Sequence, residues 1–294
     1  MGIEEGGDRE LRLLLLLLGV LPLVLSGCAS SGAMTRTYFE YSRGKSFPTH
    51  SDVGFRYGNN DYTLHNLYLE DKSWDRDESI VPNAFILPLF TGRFGEAVAD
   101  FTEPYYSYRL IHFLKNNPHI GLGLEFIHVK VFLLDRDQRV RMTGMVNGAP
   151  IDATVTAGDY LAGFNVSHGV NHAGVHFVYR WLLKTTPEIT DGRWQPYVDA
   201  SFGPTVPHLE LRTNDNGVVT KRAYSYQASL KNWGGGVGAG VRYKISRLFG
   251  LYMEYKLTYS HLHGMRFEDL DDTNVSMDFW TNHLQWGLSV MFNP

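Results

Sequence analysis

The chain has 294 residues, of which 27 are Lys or Arg and 31 are Asp or Glu, so its formal net charge at pH 7 is −4. This length is enough for one β domain of ordinary size with extensions. The slightly acidic balance argues against a nucleic acid as the partner.

The N-terminus has the pattern of an export signal that ends at the only cysteine. The apolar run from Leu11 to Leu25 is shorter than the roughly 18 residues that a membrane helix needs, and Ser26-Gly27-Cys28 follows it. We therefore predict that residues 1–27 are a removable signal peptide and that Cys28 is lipidated, because Leu25-Ser26-Gly27-Cys28 is similar to a lipobox. The segment before the run is acidic where export signals are basic, so either the signal is unusual or the start is placed too early. Residues 28–50, rich in Ser, Gly and Thr, are predicted to be a periplasmic linker.

From residue 51 to 294 large apolar residues alternate with small or polar ones. The clearest case is 281–292, where Leu284, Trp286 and Leu288 alternate with polar or small neighbours, as in a strand with one apolar face. The same period of two predicts seven further strands: 61–70, 104–114, 119–133, 163–182, 195–212, 232–245 and 251–261. A change of phase in 163–182 predicts a bulge near 171–174. The repetition indicates an all-β, eight-stranded antiparallel up-and-down transmembrane β-barrel rather than a soluble sandwich.

The lengths of the connections predict the orientation of this barrel. Long connections at 71–103, 134–162, 213–231 and 262–280 alternate with shorter ones at 115–118, 183–194 and 246–250. Bacterial outer-membrane barrels have short periplasmic turns and longer outer loops, so we expect an outer-membrane protein with both chain ends in the periplasm. The long loop 71–103 is predicted either to clamp lipid or to cover the rim.

The interior of such a barrel is predicted to be filled. Eight strands leave just enough room for their side chains, so a pore is not expected and the function should reside at the outer rim, the loops or the lipid-facing wall. We also expect a monomer. The inward-facing positions carry charges of both signs, which are expected to pair in a buried network. These residues are Glu125, Arg180, Asp199, Arg242, Glu254 and Lys256.

Histidines gather at the outer ends of three neighbouring predicted strands. His128 and Lys130, His168, and His208 and Glu210 come at the same distance from the periplasmic turns, in phase with lipid-facing residues. Three imidazoles and a carboxylate are suitable ligands for a divalent transition metal, and His also serves as an acid or base near neutral pH. The alternative is that these side chains only anchor the barrel at the membrane interface.

Several segments in these strands resemble the rhizobial-type lipid A oxidase family of outer-membrane barrels. They are PYY at 104–106, GLGLEFIHVK at 121–130, SHGVN at 167–171, VYRW at 178–181, PHLE at 207–210, EYK at 254–256 and TNH at 281–283. They occur in the family's order over most of the chain, which is more specific than any one of them.

The resemblance implies that the substrate is lipid A, the membrane anchor of lipopolysaccharide. The implied reaction is an oxygen-dependent oxidation of the 1-dephosphorylated proximal glucosamine to 2-aminogluconate. No flavin or NAD is expected, because the glycine run 234–240 lies in a strand pattern and opens no helix. We hypothesise that His128, His168 and His208 bind a metal, that His168 and Glu210 are catalytic, and that Lys130 holds a phosphate.

Two other functions compete with oxidation. A lipid A deacylase would need a nucleophile and a base together, and Ser260-His261 are neighbours in a strand, so they point to opposite faces. The second alternative is a non-catalytic structural or adhesive barrel whose loops bind a partner.

Overall fold

A computed structural model of the protein describes residues 36–71, 105–215, 218–226, 229, 231–267 and 270–292. The predicted signal peptide, Cys28 and nearly all of the loop 71–103 lie outside the described residues. No helix among the described residues is long and apolar enough to cross a membrane.

Eight antiparallel strands form a closed ring. In chain order they are β1 (Arg36–Pro48), β4 (Tyr106–Phe113), β5 (Ile120–Phe132), β8 (Leu161–Arg180), β9 (Trp194–Asp215), β11 (Trp233–Lys244), β12 (Phe249–Phe267) and β13 (Leu270–Phe292). Each strand pairs with the next, and β13 closes the ring by pairing with β1 from Thr37↔Phe292 to Pro48↔Thr281. The predicted eight-stranded up-and-down barrel is therefore confirmed.

The strands alternate between a buried inner face and an exposed outer face. On β11, Val237 is 58% exposed while Arg242 is fully buried. The exposed outer positions form an apolar belt: Leu110, Leu122, Val175, Phe177, Val198, Phe202, Val237, Leu251, Met253, Leu284 and Leu288. A closed barrel with an apolar belt on its outside is a membrane-spanning barrel of the outer-membrane type.

The first strand of the ring is not where the sequence pattern placed it. Arg36–Pro48 lies entirely within 28–50, the segment predicted to be a linker, and pairs with both β13 and β4. The pattern was missed because Arg43 and Lys45 interrupt the outer face, while the inner positions Ser42 and Ser46 face polar partners. The linker prediction is thus wrong for residues 36–48.

A small sheet extends the ring at one end. β2 (Ser51–Tyr57) continues the line of β1 along β13, and β3 (Asn60–Leu67), β6 (Arg139–Val146) and β7 (Ala149–Thr156) follow it in order. The prediction that 61–70 is the first ring strand is therefore wrong, because it pairs with β2 and β6 instead. A 3₁₀ turn (Ala157–Asp159) leads into β8, and β10 (Val218–Tyr226) pairs only with β9.

We call the end of the barrel that bears the sheet β2–β3–β6–β7 the extended end. The opposite end, with the short connections 114–119, 181–193 and 245–248 and with Arg36 and Phe292, is the turn end. The lumen is filled differently in the two halves. An apolar cluster that includes Phe55, Tyr62, Val131 and Phe164 fills the extended end, and charged side chains fill the turn end.

Candidate functional site

The strand register brings most of the predicted site residues to one region of the wall. His128 of β5 is level with Asn171 of β8, which is level with Val206 of β9. Further toward the extended end, Asn165 of β8 is level with Phe132 of β5 and with Glu210 of β9. We call the region of β5, β8 and β9 between these two rows the wall patch; it also contains Lys130, His168 and His208.

The side chains of the wall patch are covered rather than exposed. His128 is 6%, Lys130 8% and His208 4% exposed, although all three occupy the outward phase, and Glu210 is half-buried. The expectation that His128, Lys130 and His208 are exposed to lipid is therefore wrong, because all three side chains are buried. The backbone of His168 lies in β8, but its side chain is outside what the structure describes.

His128 is held on two sides. Its ring stacks on Tyr106 with centroids 4.6 Å apart and planes inclined by 13°, and its Nδ1 lies 2.8 Å from Asn171 Oδ1. The Asn171 amide group in turn donates to the Val206 carbonyl at 2.9 Å. This contact fixes the orientation of the imidazole in the way that metal-binding histidines are commonly held.

A bulge in β8 makes room for this ring. The pairing of β8 with β9 shifts between Asn165 and Val170, a few residues before the predicted position. Gly169 has φ +94°, and a Cβ there would lie 2.4 Å from the His128 ring. Position 169 therefore requires glycine both for its backbone conformation and for the close approach of His128.

The predicted network of buried charges in the lumen is confirmed. Arg109 contacts Glu125 at 2.7 Å and Glu254 at 2.5 Å, and Lys256 contacts Glu125 at 2.6 Å and Asp199 at 2.7 Å. Elsewhere in the turn end, Arg242 pairs with Glu40 at 2.5 Å, and Arg180 donates to Gln195 and stacks over Phe113. These carboxylates therefore contact arginine or lysine, as buried charges require.

A second histidine group, which the sequence analysis did not single out, lies at the extended end of β12 and β13. His261 Nδ1 is 2.7 Å from Asp278 Oδ1, and His263 Nε2 is 2.9 Å from Asp278 Oδ2. The available sequence signal was the spacing His-x-His, which places both rings on one face of a strand. Ser260 is buried while His261 is half-exposed, so these two point to opposite faces, as predicted.

The described residues hold two groups in which at least three potential metal ligands come within 4.8 Å of one another. One is His261, His263 and Asp278, and the other is the lumenal set Glu125, His176 and Asp199. Neither includes His128 or His208. The predicted ligand set His128, His168 and His208 stays a prediction, because the His168 side chain is not described.

A single histidine–aspartate pair lies on the small sheet of the extended end. His65 Nδ1 is 2.8 Å from Asp52 Oδ2, and the Asn66 N–H donates to the other carboxylate oxygen at 2.8 Å. Burial alone would raise the pKa of Asp52, but the Asn66 and His65 hydrogen bonds outweigh it and hold the pKa below its ordinary value.

Solved structures similar to this chain are outer-membrane proteins. No known protein family and no curated protein matches the chain. The outer-membrane protease OmpT from Escherichia coli is 8% identical, with 90% of this chain and 99% of that chain covered at a TM-score of 0.42. OprG from Pseudomonas aeruginosa is 10% identical (89% and 97% covered, TM-score 0.37), and Neisserial surface protein A is 8% identical (87% and 97% covered, TM-score 0.35). At this level of similarity none of them assigns an activity to the chain.

Proposed function

We propose that this outer-membrane barrel oxidises the proximal glucosamine of lipid A to 2-aminogluconate, with dioxygen as the oxidant. The observation that supports the proposal best is the wall patch. A lysine, a carboxylate and histidines lie together there at outward-phase positions, and His128, Lys130 and His208 are nevertheless buried. A group of polar residues at outward-phase positions of the wall suits a substrate that resides in the membrane leaflet and reaches the protein sideways. The resemblance of these same segments to lipid A oxidases supports the same substrate.

The orientation belongs to this proposal. With the short connections and both chain ends in the periplasm, the extended end faces outward, as is usual for outer-membrane barrels. The wall patch then lies at the level of the outer-leaflet headgroups, where the sugar of lipid A is found.

Five residues of the wall patch have assigned roles in the proposed reaction. Lys130 binds a phosphate of lipid A, and Glu210 accepts the proton from the anomeric hydroxyl. His128, His168 and His208 would hold a divalent transition metal, which would supply the activation of dioxygen. The fixed ring of His128 fits this role, since its Nδ1 contacts Asn171 and Nε2 would be the ligand atom.

The proposed reaction balances as a two-electron oxidation. The anomeric carbon loses its hydrogen and the anomeric hydroxyl loses its proton, which yields a lactone. Dioxygen accepts the two electrons and two protons and leaves as hydrogen peroxide. Addition of water then opens the lactone to the aminogluconate, so the lipid gains one oxygen atom.

Mass spectrometry of lipid A tests the proposal. The protein is expressed in the outer membrane of a host that makes 1-dephosphorylated lipid A, grown with and without air. We expect a gain of one oxygen atom only with air. We expect His208→Ala, which removes a proposed metal ligand, to lower the product at least about tenfold. His65→Ala, the matched control on the small sheet, should leave the product unchanged.

Other outcomes distinguish the alternatives. Loss of an acyl chain would indicate a lipid A deacylase. An unchanged spectrum from a folded barrel would overturn the enzymatic proposal and favour a structural or adhesive protein. Full activity of His208→Ala would remove the assigned site.

A further inference from the structure

The side chains of His261, His263 and Asp278 converge on one small volume at the extended end of the barrel. The imidazole rings stack with centroids 3.9 Å apart and planes inclined by 11°. Each ring directs one nitrogen toward a different oxygen of the same carboxylate, at 2.7 and 2.9 Å. The three side chains are 27%, 41% and 40% exposed, so an ion can reach them from solvent.

The sheet itself fixes this convergence. His261 and Asp278 are directly paired across β12 and β13, and His263 shares the face of His261 because it is two residues further along β12. Beyond them the pairing shifts between Leu262 and Met265, and the His263 N–H donates to Asn232 Oδ1 at 2.9 Å. The ligand atoms are therefore carried by two paired strands, β12 and β13, and not by a loop.

The wall beside the group restricts the first ring further. Trp233 of β11, the cross-strand neighbour of His261, stacks on it with centroids 5.1 Å apart. His261 is thus placed between the indole of Trp233 and the imidazole of His263. Rings that are held in this way lose little conformational entropy when they bind an ion.

From this geometry we propose that His261, His263 and Asp278 bind a divalent transition metal ion of the Zn²⁺ type. Two imidazoles and one carboxylate suit Zn²⁺, whereas Ca²⁺ and Mg²⁺ require more oxygen ligands. Zn²⁺ binds His nitrogen and carboxylate oxygen at about 2.0–2.2 Å, so the two N···O contacts must lengthen by about 0.5 Å to admit it. The exposed side of the group leaves a fourth position for water.

The lumenal group Glu125, His176 and Asp199 does not offer such a site. Lys256 Nζ already lies 2.6 Å from Glu125 and 2.7 Å from Asp199, where it supplies the positive charge that a metal would bring. The group is also buried. Among the residues that the structure describes, the half-exposed group on β12 and β13 forms no ion pair with a lysine or an arginine.

Metal binding to the full-length barrel, folded in detergent, tests this site. Zn²⁺ bound after dialysis is counted by elemental analysis, and Co²⁺ is followed by its visible absorption, which is strong when the ion is tetrahedral. We expect His263→Ala and Asp278→Asn each to lose one ion per chain or to bind it at least about tenfold more weakly. His65→Ala, which breaks a pair with one histidine only, should bind as the wild type does.

The site is independent of the proposed oxidase site, and a further variant separates the two. We expect His208→Ala to retain the ion that is bound by His261, His263 and Asp278. If His263→Ala fails to fold, judged by its gel mobility before and after heating, Asp278→Asn alone decides. Absence of Zn²⁺ and Co²⁺ binding by the wild type, or binding that both variants retain, would overturn the inference.

Discussion

Arg109 lies at the centre of a group of ion pairs in the lumen. Its guanidinium group contacts Glu125 of the neighbouring strand and Glu254 across the barrel, and all three side chains are fully removed from solvent. Bidentate contact with carboxylate is the geometry in which arginine binds most strongly. Burial makes the pairing obligatory, because a carboxylate without a partner there cannot be solvated.

Replacing Arg109 should therefore be severely destabilising. We expect Arg109→Leu to lower the free energy of unfolding by about 3–5 kcal/mol, because Glu125 and Glu254 lose their shared partner. Urea titration followed by gel mobility of the folded form measures the effect. Arg141→Leu is the matched control: Arg141 pairs with Asp152 in exposed positions, so its loss should leave the midpoint unchanged. Equal midpoints for the two variants would contradict the role assigned to Arg109.

At the scale of the strand, the apolar belt distinguishes the membrane-spanning part of the barrel from its extension. On β11, Val237 lies between Trp233 and Tyr243, aromatic residues of the kind that flank the apolar band of a membrane barrel. By contrast, the β6–β7 hairpin carries the exposed polar pair Arg141–Asp152. The apolar belt therefore suits contact with lipid, whereas the surface of the β6–β7 hairpin suits contact with water.

A charged residue introduced into the apolar belt tests whether this surface contacts lipid. We expect Val237→Arg to lower the free energy of unfolding by about 2–4 kcal/mol in a lipid bilayer, the cost of arginine on the lipid face near the middle of the membrane. The measurement is reversible unfolding of the barrel in lipid vesicles. Ala153→Arg, at an exposed position of β7, should have little effect. A neutral Val237→Arg would argue that this face is not in contact with lipid.

Alternation of residues predicted seven of the ring strands, because inner and outer positions differ in polarity wherever one face meets lipid. It failed at β1, where Arg43 and Lys45 lie between Phe39 and Phe47 on the outer face and interrupt the apolar alternation. It also wrongly predicted 61–70 as a ring strand, because β3 has the same alternation as a ring strand. Its pairing with β2 and β6 depends on long-range contacts that the local pattern does not encode. The His261–Asp278 contact was missed for the same reason: it depends on the register of β12 and β13.

At the scale of the whole molecule, the described part of the lumen is filled in two different ways. Charged side chains occupy the turn end and the apolar cluster the extended end. A cavity between them, lined by Val129, His172 and Thr258, among others, has a volume of about 10 Å³. That is about the size of one water molecule, too small for a hydrated ion.

We therefore expect the purified barrel to conduct no steady ion current when it is reconstituted in a planar bilayer. The physical reason is that a passing ion would have to displace paired charges from a filled interior. Single-channel recording at both polarities measures this. Steady, reproducible conductance steps would contradict the filled lumen.

The ion pairs of the lumen also bear on how the barrel is assembled. Arg242 of β11 contacts Glu40 of β1, 202 residues away in the chain, and Arg109 of β4 contacts Glu254 of β12 across 145 residues. A half-made barrel that lacks its first or last strands leaves carboxylates or guanidinium groups without partners in a membrane, at a large cost. We therefore expect insertion to become favourable only when all eight ring strands are present to complete these pairs.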